Sequence, residues 1–294
     1  MRLDDYRESD YVDDRRDSGG SYGGGGKLSM GTMMMLWPLI RPLLRTKFGW
    51  AIIGLGALAY VNGFNPLALL GGGSHSSATH SAKNDKAAIF SKKVFATTED
   101  VWKRLLPKYG MKYKNPALVL YRGSTHSGCG GAQAQMGPFY CPADQKVYLD
   151  LSFFDELASR FGANGDFAQA YVIAHEVGHH IQNLQGLLGK VQRLKQQWGG
   201  GSAKSNALQV RVELQADCYA GVWGHYVDSM HLLDRGDLDE AMQAAASIGD
   251  DTLQRRAGQA VRPDTFTHGS SRQRMEWFKR GFDSGDMRAC DTFK

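Results

Sequence analysis

The chain is short of several things that would mark other protein classes. Its 294 residues include only four cysteines, and no two of them stand in a Cys-x-x-Cys pair. A zinc site built on cysteines is therefore not expected, and the four thiols are available for disulfides in an oxidising compartment. No glycine-rich loop precedes a lysine in the P-loop pattern, which excludes that kind of nucleotide enzyme. The formal charge of +5 is modest for this length, and no basic helix with interleaved aromatics occurs. Nucleic acid is accordingly not expected as a partner.

From Phe48 to Ala82 there is no Asp, Glu, Lys or Arg. About 20 such residues span a bilayer, so a transmembrane helix is expected over 47–70. Arg41, Arg45 and Lys47 precede it and no Lys or Arg follows until Lys83. The positive-inside rule then places the N-terminus in the cytoplasm and the downstream domain outside it. Residues 1 to 31 mix Asp, Arg and Gly and end in a glycine-rich run, a composition expected to lack fixed structure. The run Met33–Ile40 is too short to span, contains Pro38, and is expected at the membrane surface. The expected division is thus 1–46 cytoplasmic, 47–70 membrane helix, 71–84 flexible linker and 85–294 folded domain.

What the chain does contain is Tyr171-Val-Ile-Ala-His-Glu-Val-Gly-His-His180. On a helix, His175 and His179 lie one turn apart on the same face, where both imidazoles reach one metal ion. Glu176 then stands beside the metal, placed to take a proton from water rather than to ligate. Val172, Ile173, Val177, Ile181 and Leu184 supply an apolar stripe at helical spacing, with Asp166 as a possible cap. His180 points about 100° away from the metal face and is read as a supporting or surface residue.

A catalytic zinc takes three protein ligands and keeps one position open. The third is expected from Arg211-Val-Glu-Leu-Gln-Ala-Asp-Cys218, where Glu213 and Asp217 share a helical face among apolar neighbours. Glu213 is the candidate ligand, and Asp217 the candidate partner for the outer ring nitrogen of a ligand histidine. For the developing oxyanion the first candidate is His268 and the second Arg272, with a capping or surface role for His268 left open. Three cysteine pairings are possible, of which Cys129 with Cys141 and Cys218 with Cys290 is favoured. The glycine-bearing segment 186–205 is a candidate lid.

Several motifs in order carry a family resemblance: Gly128-Cys-Gly-Gly131, Gly137-Pro-Phe-Tyr-Cys-Pro142, Val147-Tyr-Leu-Asp150, the histidine helix, Glu213-Leu-Gln-Ala-Asp-Cys218 and Thr267-His-Gly-Ser-Ser-Arg-Gln-Arg274. Together they resemble the bacterial putative neutral zinc metallopeptidase family, with ligation like that of thermolysin-type peptidases. The resemblance implies a membrane-anchored metallopeptidase-like protein. Taken with the residue reading, the expectation is one Zn2+ per chain, a peptide or protein substrate, and a single pass of the bacterial inner membrane with a periplasmic catalytic domain. Two other functions stay open: a zinc-containing interaction module without turnover, and an amidase acting on cell-wall peptides.

The expected fold is α+β. Strands are predicted over Ala117–Tyr121 and in a hairpin of Gln133–Tyr140 with Lys146–Leu151, giving a small antiparallel sheet. A mainly helical, zincin-like bundle follows, with helices near Phe153–Arg160, the histidine helix, Gly189–Trp198, the Glu213 helix, Leu238–Ile248 and Ser270–Gly281; another helix, Thr98–Tyr109, comes before the strands.

Overall fold

The computed structural model of the protein describes residues 1–16 and 82–294. The expected membrane helix, the run Met33–Ile40 and all of the linker before residue 82 lie outside the described residues. No helix among those described is long and apolar enough to cross a membrane.

The strands are β1 (Val12–Asp14), β2 (Ala117–Tyr121), β3 (Ser124–Ser127), β4 (Gly130–Gln133), β5 (Phe139–Cys141) and β6 (Lys146–Asp150). Four of them form a sheet in the order β1-β2-β6-β5, and β3 and β4 make a separate antiparallel hairpin. The expectation of an antiparallel sheet is corrected here. β2 pairs parallel with both β1 and β6, and only β5 runs antiparallel to β6. Burial explains the difference. Leu118 to Tyr121 and Val147 to Asp150 are all buried, so both faces of these strands are covered, as is usual for parallel pairs. β5 with β6 is the antiparallel hairpin that was expected.

The N-terminal expectation is also corrected. Residues 1–16 belong to the same compact unit as 82–294. The amide of Leu118 donates to the Tyr11 carbonyl at 2.8 Å and that of Arg15 to the Leu120 carbonyl at 2.7 Å. Leu3 is buried, and Arg7 reaches Glu99 and Asp100 on the first helix. Composition misled because this is an edge strand. Its backbone does the pairing, while Arg15 and Arg16 find carboxylates in Asp13 and Asp14.

The helices are α1 (Ala82–Leu105), α2 (Ser152–Ser159), α3 (Asp166–Leu184), α4 (Leu187–Trp198), α5 (Ala203–Ser229), α6 (Asp237–Ser247), α7 (Asp250–Arg256) and α8 (Ser271–Ser284). α1 starts well before the expected Thr98 and ends in a 3₁₀ turn over Leu106–Tyr109 that carries Pro107. α7, a short and charged helix, was not foreseen.

Local signals set the helix ends that matter. The Ser202 side chain accepts from the Ser205 amide at the start of α5. At α8, Ser270 and Gln273 form a reciprocal capping box. The core lies between sheet and helices, with Trp102, Trp223, Tyr171, Phe167 and Phe278 fully buried. Each such side chain contributes on the order of 1.5–3 kcal/mol by leaving water.

Two close approaches hold α3, α5 and α8 together. A Cβ on Gly178 would sit 2.9 Å from the Ala216 carbonyl oxygen, so glycine lets α3 lie directly on α5. Gly221 and Gly281 play the same part between α5 and α8, where any Cβ would overlap the opposing backbone. Disulfides Cys129–Cys141 and Cys218–Cys290 are both formed, in the favoured pairing. The second ties the C-terminal tail to the middle of α5.

Candidate metal centre

The contact at Gly178 brings the ligand set together. His175 and His179 project from α3 with ring centroids 4.8 Å apart, and Glu213 comes from α5. The Glu213 Oε2 atom lies 3.2 Å from His175 Nε2 and 3.4 Å from His179 Nε2. One ligand atom from each of the three falls within 4.8 Å of the others. Two imidazoles and a carboxylate around one point suit zinc, whose usual donors are nitrogen, oxygen and thiolate sulfur. Gln209 donates to the other Glu213 oxygen at 2.7 Å and orients that carboxylate.

Each histidine is fixed from behind. His175 Nδ1 lies 2.8 Å from Asp217 Oδ1, which also accepts from the Tyr171 hydroxyl. Arg274 on α8 grips Asp217 with two hydrogen bonds, of 2.8 and 2.9 Å. His179 Nδ1 instead lies 2.9 Å from the Gln182 side-chain oxygen. An acceptor at Nδ1 puts the ring proton there and leaves Nε2 free to ligate.

The charges agree with a cation site. Burial works against charging His175, but Asp217 and Glu213 outweigh it and raise its pKa to about 10. Burial also opposes ionisation of Asp217, yet Arg274 and His175 hold it down at about 2. Glu213, equally buried, is kept well below the usual carboxylate range chiefly by His179 and His175. Carboxylates that favour the protonated imidazoles also favour a cation held between them.

Glu176 is buried beside the ligands, and burial raises its pKa. It opens onto a cleft of about 1070 Å³ that also reaches His175, His179, Glu213 and His268. Strand β5 forms one wall through Phe139 and Tyr140, continued by Met136 to Pro138. From α4, Leu188 and Val191 contribute to the lining, so the candidate lid segment borders the cleft.

His268 lies on this cleft, half exposed, with Nδ1 3.2 Å from Asp250 Oδ1. The other Asp250 oxygen accepts the amides of Thr267, His268 and Gly269, which fixes the turn. Arg272, the second candidate, is 85% exposed, pairs with Glu276 and does not line the cleft. It is withdrawn as an oxyanion donor. His180 turns out to be fully buried: its Nε2 lies 2.7 Å from the Lys114 carbonyl and its Nδ1 2.9 Å from the Tyr140 hydroxyl. It fastens the histidine helix to β5, and burial lowers its pKa to about 4. Asp166, the possible cap, opens α3 but binds the Met1 ammonium instead.

Several supporting residues escaped the sequence reading, Gln209 and Asp250 among them. Gln182 and Gln215 are uncharged and carry no motif by themselves. Arg274 sits at the end of the Thr267–Arg274 motif, but nothing in the spacing says that it reaches Asp217.

A helix with two imidazoles one turn apart, a carboxylate from a crossing helix and a carboxylic residue on an open cleft define a candidate zinc-hydrolase centre. The chain matches the putative neutral zinc metallopeptidase family over residues 1–293 and belongs to that family. It is 49% identical over 296 residues to the protein of Escherichia coli (strain K12) that bears the name uncharacterized protein YpfJ, covering 100% of this chain and 99% of that one. It is 44% identical over 208 residues to uncharacterized protein Mb2605 of Mycobacterium bovis, covering 67% of each. No solved structure matches the chain.

Proposed function

We propose that the protein is a zinc-dependent endopeptidase in which His175, His179 and Glu213 hold the metal and Glu176 is the general base. The observation that carries this reading is the convergence of three candidate ligand atoms within 4.8 Å on a cleft that Glu176 also lines. A bound zinc would polarise the scissile carbonyl and acidify the attacking water. Glu176 accepts a proton from that water and passes it to the amine nitrogen as the C–N bond breaks. His268, steadied by Asp250, donates to the oxyanion. β5 is the edge of its sheet and lines the cleft, so an extended peptide would pair along it. The cleft volume is ample for several residues.

The open cleft and the intact Glu176 favour turnover over an interaction module. Two disulfides favour an oxidising compartment for the domain, and the apolar run 47–70 is the part that would hold the chain at a membrane.

The test is metal content together with casein cleavage by wild type and Glu176→Gln. One zinc per chain with turnover down by about 10²–10⁴-fold in the variant is expected. Equal turnover by both would remove Glu176 from the reaction. A His268→Gln variant should keep its zinc and lose on the order of 10²-fold in kcat. Unchanged kcat would return His268 to a structural role.

A further inference from the structure

We propose that Gln182 and Gln215 are positioning residues that set the tautomer and orientation of His179, and that they take their own orientation from the disulfide-anchored tail. This rests on the metal-centre reading. The chain of hydrogen bonds has one direction. The Cys290 carbonyl can only accept, so Gln215 turns its amide nitrogen toward it, at 3.0 Å. The Gln215 oxygen is thereby left to accept from the Gln182 nitrogen, at 3.1 Å. That nitrogen also donates to the Val212 carbonyl, at 2.7 Å. The Gln182 oxygen has only one way to face, toward His179 Nδ1 at 2.9 Å. Both amides are buried, so neither can flip without leaving two acceptors opposed.

The consequence for the centre is specific. His179 must carry its proton on Nδ1 and present Nε2 to the metal, and no charge is spent on the arrangement. Val212 immediately precedes Glu213, so Gln182 also couples His179 to the backbone bearing the third ligand. Cys290 is bonded to Cys218, which fixes the far end of the relay on α5.

The test uses the full chain loaded with Co2+ in place of zinc, read by chelator competition and by the paramagnetically shifted imidazole N–H resonances. Gln182→Ala should weaken metal binding by about 10–100-fold. Gln215→Ala, which removes the buried hydrogen bonds to the Cys290 carbonyl and from Gln182 but none to His179, should weaken it by about 2–10-fold. In Gln215→Ala the N–H resonance of His179 should shift or exchange faster while that of His175 stays. Unchanged affinity and resonances in Gln215→Ala would overturn the relay. If that variant does not fold, Gln215→Met keeps the volume and gives the same reading. Failure of the wild type to bind metal would instead overturn the metal-centre reading.

A separate observation concerns the membrane. We infer that residues 1–16 and 82–294 occupy the same compartment, because β1 is hydrogen-bonded into the sheet beside β2. A bilayer between the two strands would break that ladder and the Arg7 pairs with Glu99 and Asp100. A single pass with residues 1–16 in the cytoplasm and 82–294 outside it would not permit this pairing.

All four cysteines are paired, so a membrane-impermeant maleimide would read only an introduced thiol. Asp10→Cys and Arg235→Cys, both at exposed positions, serve in the full chain in intact and permeabilised cells. The two sites should be labelled alike in each condition. Labelling of one site with protection of the other would overturn the inference.

Discussion

The two histidines proposed as ligands are held from behind in opposite ways. His175 leans on a buried cluster of charge, with Asp217 gripped by Arg274 and Tyr171. His179 leans on two neutral amides that end at a backbone carbonyl. Both arrangements leave Nε2 free for the metal, but they place different demands on the fold. The charged side depends on keeping every partner, since an uncompensated ion in the interior is costly. The neutral side depends on direction, since an amide pointing the wrong way opposes two acceptors. A single centre thus combines a side vulnerable to loss of charge with a side vulnerable to loss of orientation.

The sharpest way to break this contrast is Arg274→Met, which strands the Asp217 carboxylate in the core. It should cost about 3–5 kcal/mol in denaturant unfolding. A loss below 1 kcal/mol would show that the charged side is no more demanding than the neutral one. Asp217→Asn and Gln182→Ala probe the two sides at the metal itself, and each should weaken zinc binding by about 10–100-fold. A large effect from one and none from the other would mean that a single histidine needs its support. Gly178→Ala acts on both sides by forcing α3 from α5, and overpacking of this kind costs about 1–3 kcal/mol. Unfolding midpoints would measure it, and an unaltered midpoint would show that the crossing has slack. The smallest effect expected is that of Tyr140→Phe, which deprives His180 of its donor and should cost about 1 kcal/mol.

The candidate metal face was legible because its signal is local. Two histidines and a glutamate within one turn of a helix need no knowledge of the rest of the chain. Glu213 and Asp217 could be proposed because i, i+4 spacing puts them on one buried face. The supports were harder to see. Arg274 is 57 residues from Asp217, and Gln215 is 75 residues from Cys290. Residues 1–16 were misread for a different reason: charge content was taken to mean solvation, whereas these charges pair with one another along a sheet edge. The parallel sheet was missed because its pairing joins β1, β2 and β6 across long stretches of chain, which no local pattern records. Strand Ala117–Tyr121, by contrast, falls within its predicted bounds because β-branched and aromatic residues there are flanked by clear turn signals.

The central claim is that His175, His179 and Glu213 form one open zinc site. X-ray absorption at the zinc edge of the full chain tests it most directly, for wild type and for His179→Phe. The account predicts one zinc per chain with two imidazoles, oxygen donors and no sulfur, and one imidazole fewer or no zinc in the variant. Sulfur ligation, or an imidazole count that His179→Phe leaves unchanged, would contradict it.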